Sequence, residues 1–598
     1  MKRKIDPPSV EMSIPLPSRK DFLRIAGAAG IGTALGSNIL LRQAFGQAAP
    51  VSGSTLDPTD LSFSIKSQYR PFDVISKNFV EHSDGFDTNQ GLYTSLAPRG
   101  NSGSVIIGSG VLSVSSNSRF FTLFRTNKTT LAPYAAVVVD VKSFSRSAPK
   151  KNTVYAGLVK DARNYVAAWY NNATKKVGID AVVGGTVNRL VERDANLTAP
   201  VRLAFVLNSK EVTALADTGG PGGTGSPWKP LANYPNPPEV SGDPAITPGL
   251  SQYVDLRDPA VLAQYKYGFG VRADRGTIVL DKVEAGYWGR AGVRDPHVVT
   301  WADGTPYIKD NKLYLTLTNA GLDFFATAHW GVYTLDLSDY TSPNALEEVG
   351  KLFFKRDGKV LGDHAGHIVY DDAAGNFLIG VSTWGDFAYN GVHVNYTRAS
   401  GDVIHGVHVL EPQKLNLPTV SPTDTGTWDP HFVRIDGLWY VAFVDSPTQG
   451  NPWKHFPALA KGPDLGRLTL VGAESDLQQS EGMVMQKFGG KWYVLCSSGG
   501  GEIVDEDAGP ATYRIYEPNR DESGGLMFFG ELDAPYVSNI PHPMVTPLPV
   551  NGNTKWIMVT FDGTMYYEPM LGYGTHGDFY VMDGQPIEQG YEFPPREP

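Results

Sequence analysis

The sequence predicts an all-β protein, an N-terminal β-sandwich of the jelly-roll kind followed by a five-bladed β-propeller. Three observations carry this. Gly (65) and Pro (43) approach a fifth of the 598 residues and aromatics reach 11%, a composition suited to many short strands joined by turns. Strand signals crowd residues 52–288. From about residue 290 one plan of strand, turn and strand repeats five times.

The first 48 residues stand apart. The basic stretch SRKDFLR, the weakly apolar IAGAAGIGTALGSNILL and small residues near Ala48 describe an export signal. SRxxFL is similar to a twin-arginine signal, with Lys20 in place of the second Arg. The expectation is a chain exported to the periplasm or medium, with no membrane segment in its mature form. The single cysteine, Cys496, lies in an apolar strand and reads as a small core residue. A formal net charge of −10 gives no electrostatic footprint for nucleic acid.

Residues 52–288 contain SGSVIIGSGVLSVSS, YAAVVVDVKSF, NYVAAWYNN, VRLAFVLNS and RGTIVLDKVEAGYW. Alternating β-branched and aromatic residues between Gly, Asn and Asp turns predict an antiparallel sandwich, and the order of elements resembles the concanavalin-like jelly rolls attached to carbohydrate-active enzymes. Residues 218–250 are too rich in Pro and Gly for regular structure. The run GGPGGTG at 219–225 lacks the strand, helix and Lys-Ser/Thr ending of a phosphate loop. DEDAG near Asp505 reads as an acidic surface loop, and no HExxH or paired CxxC suggests zinc.

The five repeats are RDPHVVTWADGTPYIKDNKLYLTLTNAG, HAGHIVYDDAAGNFLIGVSTWG, WDPHFVRIDGLWYVAFVDS, SEGMVMQKFGGKWYVLCSSG and HPMVTPLPVNGNTKWIMVTFDG. Aligned on their first strands, their leading positions are Asp295, Ala365, Asp429, Glu481 and His542, spaced by 70, 64, 52 and 61 residues. That length suits a four-stranded propeller blade, and residues 290–598 hold five. Innermost strands line a propeller's channel, so Asp295, Asp429 and Glu481 are expected around one cavity with His542 beside them. Two residues further on stand His297, His367, His431, Met483 and Met544, expected deeper in the channel. Three carboxylates in one cleft raise one another's pKa, and a raised carboxylic acid beside an ionised partner is the equipment of glycoside hydrolysis.

RDPHVV, WDPHFVRIDGLWYVAF and SEGMVMQKFGGKWYVLCSSG together resemble glycoside hydrolase family 43 and its five-bladed relatives over roughly residues 290–590. The resemblance implies Asp295 as general base, Asp429 as pKa modulator and Glu481 as general acid. It implies single displacement with inversion on pentose glycosides in polysaccharides or oligosaccharides, of the arabinofuranosidase, arabinanase or xylosidase kind. Met483 stands where the family usually has Pro after Glu-Gly. The sister group of fructan-cleaving, retaining propellers carries the same three acids but typically NDPN in place of RDPH. A non-catalytic carbohydrate-binding propeller is the alternative of another class. The resemblance also implies a blade-five histidine near the axis, often beside calcium or another ion. His542 holds that place, so a structural calcium ion in the channel is an option, although no cofactor is required and a hydrogen-bonded histidine is the simpler reading. Trp384 and Trp428, with Trp330, are expected as sugar-stacking platforms. Arg294 is expected to position a hydroxyl or tune Asp295, and Arg514 to approach the acid.

Overall fold

The computed structural model describes residues 56–99, 102–145, 152–219, 227–235, 248–322, 325–386, 391–420, 426–448, 454–477, 479–499, 511–518, 525–537, 540–550, 553–565 and 576–587. Residues 1–48, expected to be an export signal, DEDAG and nearly all of GGPGGTG lie outside them. Among the described residues the protein is almost wholly β, and no helix is long and apolar enough to cross a membrane.

The N-terminal strands form one hydrogen-bonded network organised by a single 25-residue strand, Lys266–Arg290. Its first part pairs with Thr153–Asp161, its middle with Val111–Arg125, and its last part with Tyr134–Phe144 and Asp73–Asp84. Strands within 153–194 lie against strands within 201–234 and enclose a core that includes Val137, Phe205, Tyr267 and Phe269. One of them, Trp228–Tyr234, lies inside the stretch 218–250 expected to be irregular and pairs antiparallel with Glu211–Asp217. The alternation read from sequence is therefore that of strands with one face inward.

Beyond Arg290 five further sheets follow in a propeller-like arrangement. Their innermost strands are Val293–Val298, His364–Asp371, Gly426–Ile435, Ser480–Phe488 and Met544–Val550. Each touches the next in that order, and Met544–Val550 touches Val293–Val298, so the ring is closed. Two-residue turns at Asp310–Asn311, Asp436–Gly437 and Gly489–Gly490 follow the first or second strand of their sheets. Both residues of each have positive φ, as tight hairpins with the right twist require.

Closure departs from the sequence expectation. Leu61–Tyr69, assigned there to the sandwich at 52–288, instead pairs with His576–Pro586 as the outermost strand of the fifth sheet. An antiparallel edge strand is supplied from the other end of the chain, and its inward residues Leu61 and Phe63 join the ring's core. The pattern of a strand carries no mark of which partner it pairs with.

A buried charged network fixes the sandwich strands to the first of the five sheets. Glu348 bonds Lys351 Nζ at 2.8 Å and Arg290 Nη1 at 3.1 Å, and accepts from Ser76 and Asn319. Arg290 also reaches Asp73 at 2.7 Å, and Lys351 donates to the Trp288 carbonyl and to His329. Burial pushes the Glu348 carboxyl up, but Lys351 and Arg290 outweigh it and hold the group below its ordinary value. Removing one partner of such a group strands a buried charge. Glu348→Gln is therefore expected to lower stability by about 3–5 kcal/mol, seen as a lower urea midpoint, while a conservative change at exposed Glu347 leaves the midpoint in place.

Candidate active site

Four of the five innermost strands carry the same irregularity. In the first three, pairing breaks after Arg294, His364 and Trp428, and the next residue takes a left-handed conformation: Asp295 (φ 50°), Ala365 (53°) and Asp429 (50°). The extra residue bends the strand and re-aims its side chains. Aspartate tolerates this conformation better than most residues. In the fourth sheet the break follows Glu481, and the left-handed residue is Gly482 (φ 72°). Glu481 is thus equivalent to Arg294, His364 and Trp428, one place before the position that Asp295 and Asp429 occupy. The expected equivalence of Asp295, Asp429 and Glu481 is corrected by one residue. Met483 accordingly matches Pro296 and Pro430, not the histidines, and is wholly buried. Gly482 is required twice, by its φ and because a Cβ there would lie 2.6 Å from the His542 ring.

The offset still brings the predicted acids together. The Gly482 amide donates to Asp429 Oδ2 at 3.1 Å, joining the third and fourth sheets. His542 Nε2 lies 3.4 Å from Asp429 Oδ2 and 3.8 Å from Asp295 Oδ1. Carboxylate oxygens of Asp429 and Glu481 and a His542 nitrogen fall within 4.8 Å of one another. Arg294 Nε is 3.8 Å from Asp295 Oδ2, with its guanidinium over Phe325. The Ser382 hydroxyl donates to the Ala365 carbonyl and accepts from the Asp429 amide, tying the second bulge to the third.

Burial, then the Asp295 charge, pushes Glu481 up to about 7, although the Trp428 indole and Arg294 oppose the rise. Burial, then Glu481 and Asp295, raises Asp429 well above the carboxylate range. Asp295 is thus the charged neighbour that raises Glu481, a role the resemblance assigns to Asp429. Burial pushes His542 down, against the pull of Asp295.

An aromatic arc borders the carboxylates, with Phe325 against Trp384 at 5.1 Å and Trp384 against Trp428 at 5.5 Å. Trp428 is only 1% exposed, so it offers no open face to a sugar; its Nε1–H donates to Glu481 Oε1 at 3.0 Å. Trp330 is buried in the first sheet against Phe354. Arg514 is not part of the cluster. It lies on the third strand of its sheet, opposite Cys496, and its guanidinium covers Phe528. Cys496 is fully buried, and burial pushes its thiol up to about 12.

Two further residues belong here that sequence reasoning missed. His364 holds the place equivalent to Glu481 in the second sheet, and burial, with Arg294 beside it, pushes it down to about 4. Alignment on the left-handed residue would have found it. His455 packs on Trp428 at 5.3 Å, with Nδ1 3.9 Å from Glu481 Oε1. It comes from the third strand of its sheet, where the repeat gives no signal.

Among the described residues, two groups could hold an ion. His297, His367 and His431 meet at the next level of the channel, but they do not suit calcium, which takes oxygen ligands. The rings of His367 and His431 stack at 18° and 4.4 Å, so their in-plane lone pairs run nearly parallel instead of converging. His367 Nδ1 already accepts the Phe432 amide, and His297 Nε2 and His431 Nδ1 share a hydrogen bond of 2.8 Å. Asp429 and Glu481 offer carboxylate oxygens and His542 a ring nitrogen, a mixed set within 4.8 Å.

No family model matches the chain, and neither does any curated protein. Solved structures with a similar chain path include a Bacillus subtilis levansucrase variant in complex with oligosaccharides. It is 10% identical over 50% of this chain and 86% of that one, with a TM-score of 0.38. A B. megaterium levansucrase mutant is 13% identical over 48% and 81%, with a TM-score of 0.35. These are similarities of path alone, and no role is taken from them.

The raised Glu481 has a consequence for stability. Its folded pKa of about 7 lies above that of an unfolded glutamate, so the native state is increasingly penalised as pH rises from about 4 through about 7. Relative to wild type, Glu481→Gln is expected to gain melting temperature between pH 5 and pH 8. Asp295→Asn is expected to lower the Glu481 titration midpoint, followed by carbon-13 NMR of labelled glutamate.

Proposed function

We propose that the protein is an exported glycoside hydrolase whose proton donor is Glu481. The observation that carries this is a carboxyl held up to about 7 in a pocket shared with Asp295 and Asp429, where it can carry a proton at the pH at which its partner is needed ionised. Glu481 protonates the glycosidic oxygen, and Asp295 takes the proton of an attacking water on the other side of the sugar. Inversion asks for about 6.5–9.5 Å between the two carboxyl groups. Asp429, bonded through the Gly482 amide and beside His542, holds the acid's strand in place. The substrate class is a pentose polysaccharide or oligosaccharide, as the resemblance implies, and half-buried Phe325 is the ring of the arc open to it; Trp384, expected as a stacking platform, is buried like Trp428. The sandwich strands serve as an accessory domain, and the chemistry requires no cofactor.

Glu481→Gln is expected to lower kcat/KM on arabino- and xylo-oligosaccharides by about 10²–10⁴-fold. Wild-type activity is expected to decline above about pH 7, as Glu481 ionises. Full activity in the variant would remove the acid assignment, and absence of activity in the wild type would favour a binding module. Proton NMR of the first-formed anomer is expected to show inverted configuration; retained configuration would make Asp295 a nucleophile and favour the fructan-type alternative.

A further inference from the structure

Trp428 stands in the third sheet where Glu481 stands in the fourth, immediately before the left-handed residue. Its indole is held on both sides, by Trp384 at 5.5 Å and 64° and by His455 at 5.3 Å and 53°. It also belongs to a buried cluster with Ala365 and Met483. The ring has no room to turn, and its one polar atom is aimed at Glu481 Oε1, 3.0 Å away. An indole N–H only donates. It therefore selects the oxygen that keeps its lone pairs, which in a protonated carboxyl is the carbonyl oxygen.

We propose that Trp428 is a positioning residue that reserves Oε1 of Glu481 as acceptor and so fixes the transferable proton on Oε2. This rests on Glu481 being the proton donor. His455 steadies the arrangement from behind. Its Nδ1 faces the Ser480 carbonyl at 3.2 Å, and burial pushes it down to about 4. At neutral pH it therefore keeps Nδ1–H for that carbonyl and adds no charge near the acid. The same indole bond favours the ionised carboxylate and limits the rise that burial and Asp295 impose.

The test is Trp428→Phe in the full chain, paired with replacement of Trp428 by its benzothienyl isostere, which keeps the ring shape and lacks the N–H. Carbon-13 titration of Glu481 without substrate is expected to show a midpoint above the wild-type value in both. On oligosaccharides the expected result is a fall in kcat of about ten- to a hundredfold, KM within about twofold, and an alkaline limb of the pH profile moved upward. An unchanged Glu481 midpoint in the isostere overturns the proposal. So does a raised KM with kcat and pH profile unchanged, which would make Trp428 a sugar-binding surface. If wild-type protein cleaves no glycoside, the functional reading fails, while the titration still decides whether Trp428 holds the carboxyl.

Discussion

The site depends on one backbone constraint: a left-handed residue inserted in an innermost strand, repeated from sheet to sheet. A regular strand sends alternate side chains to opposite faces, so two consecutive side chains would not serve one cavity. The inserted residue lets two consecutive side chains serve the same cavity. Arg294 and Asp295 do so from the first sheet, and Trp428 and Asp429 from the third. In the fourth, glycine takes the left-handed place, so only Glu481 remains from that pair, and His542 fills the space that a side chain would have occupied.

This constraint also explains the electrostatics. Three acids are brought close by three separate strands, so the repulsion between them is opposed by the packing of whole sheets. The counterweights are few: Arg294 beside Asp295, the Gly482 amide on Asp429 and the Trp428 indole on Glu481. Each reaches across from a neighbouring residue or sheet. The outcome is that Glu481 and Asp429 hold protons far more readily than free carboxyls. Below them the uncharged histidines fill the next level with hydrogen bonds among themselves and to Thr300.

Much of this was legible in the sequence. Turn dipeptides and apolar runs located the hairpins, and the repeat located Asp295, Asp429, Glu481 and His542. Backbone register was not legible. RDPH, WDPH and SEGM align equally well on the acid or on the residue after it, and only the φ values of Asp295, Asp429 and Gly482 decide. That one-residue ambiguity hid His364 and misplaced Met483. Exposure was equally hidden. Trp428 beside an acid reads as a sugar platform, yet it is sealed by Trp384 and His455. Arg514 lies near the acid along the chain but two strands away across its sheet. Long-range pairing left no trace either, as Leu61–Tyr69 illustrates.

That first strand sets an order of events. Its residue Gln68 is bonded to Asp578, 510 positions later, so the fifth sheet cannot be completed until Asp578 has been made. Contacts so distant along the chain form slowly, since loop closure must come first. His542 belongs to that last sheet. The sheet beside the catalytic carboxylates is thus completed by two strands drawn from segments 510 positions apart.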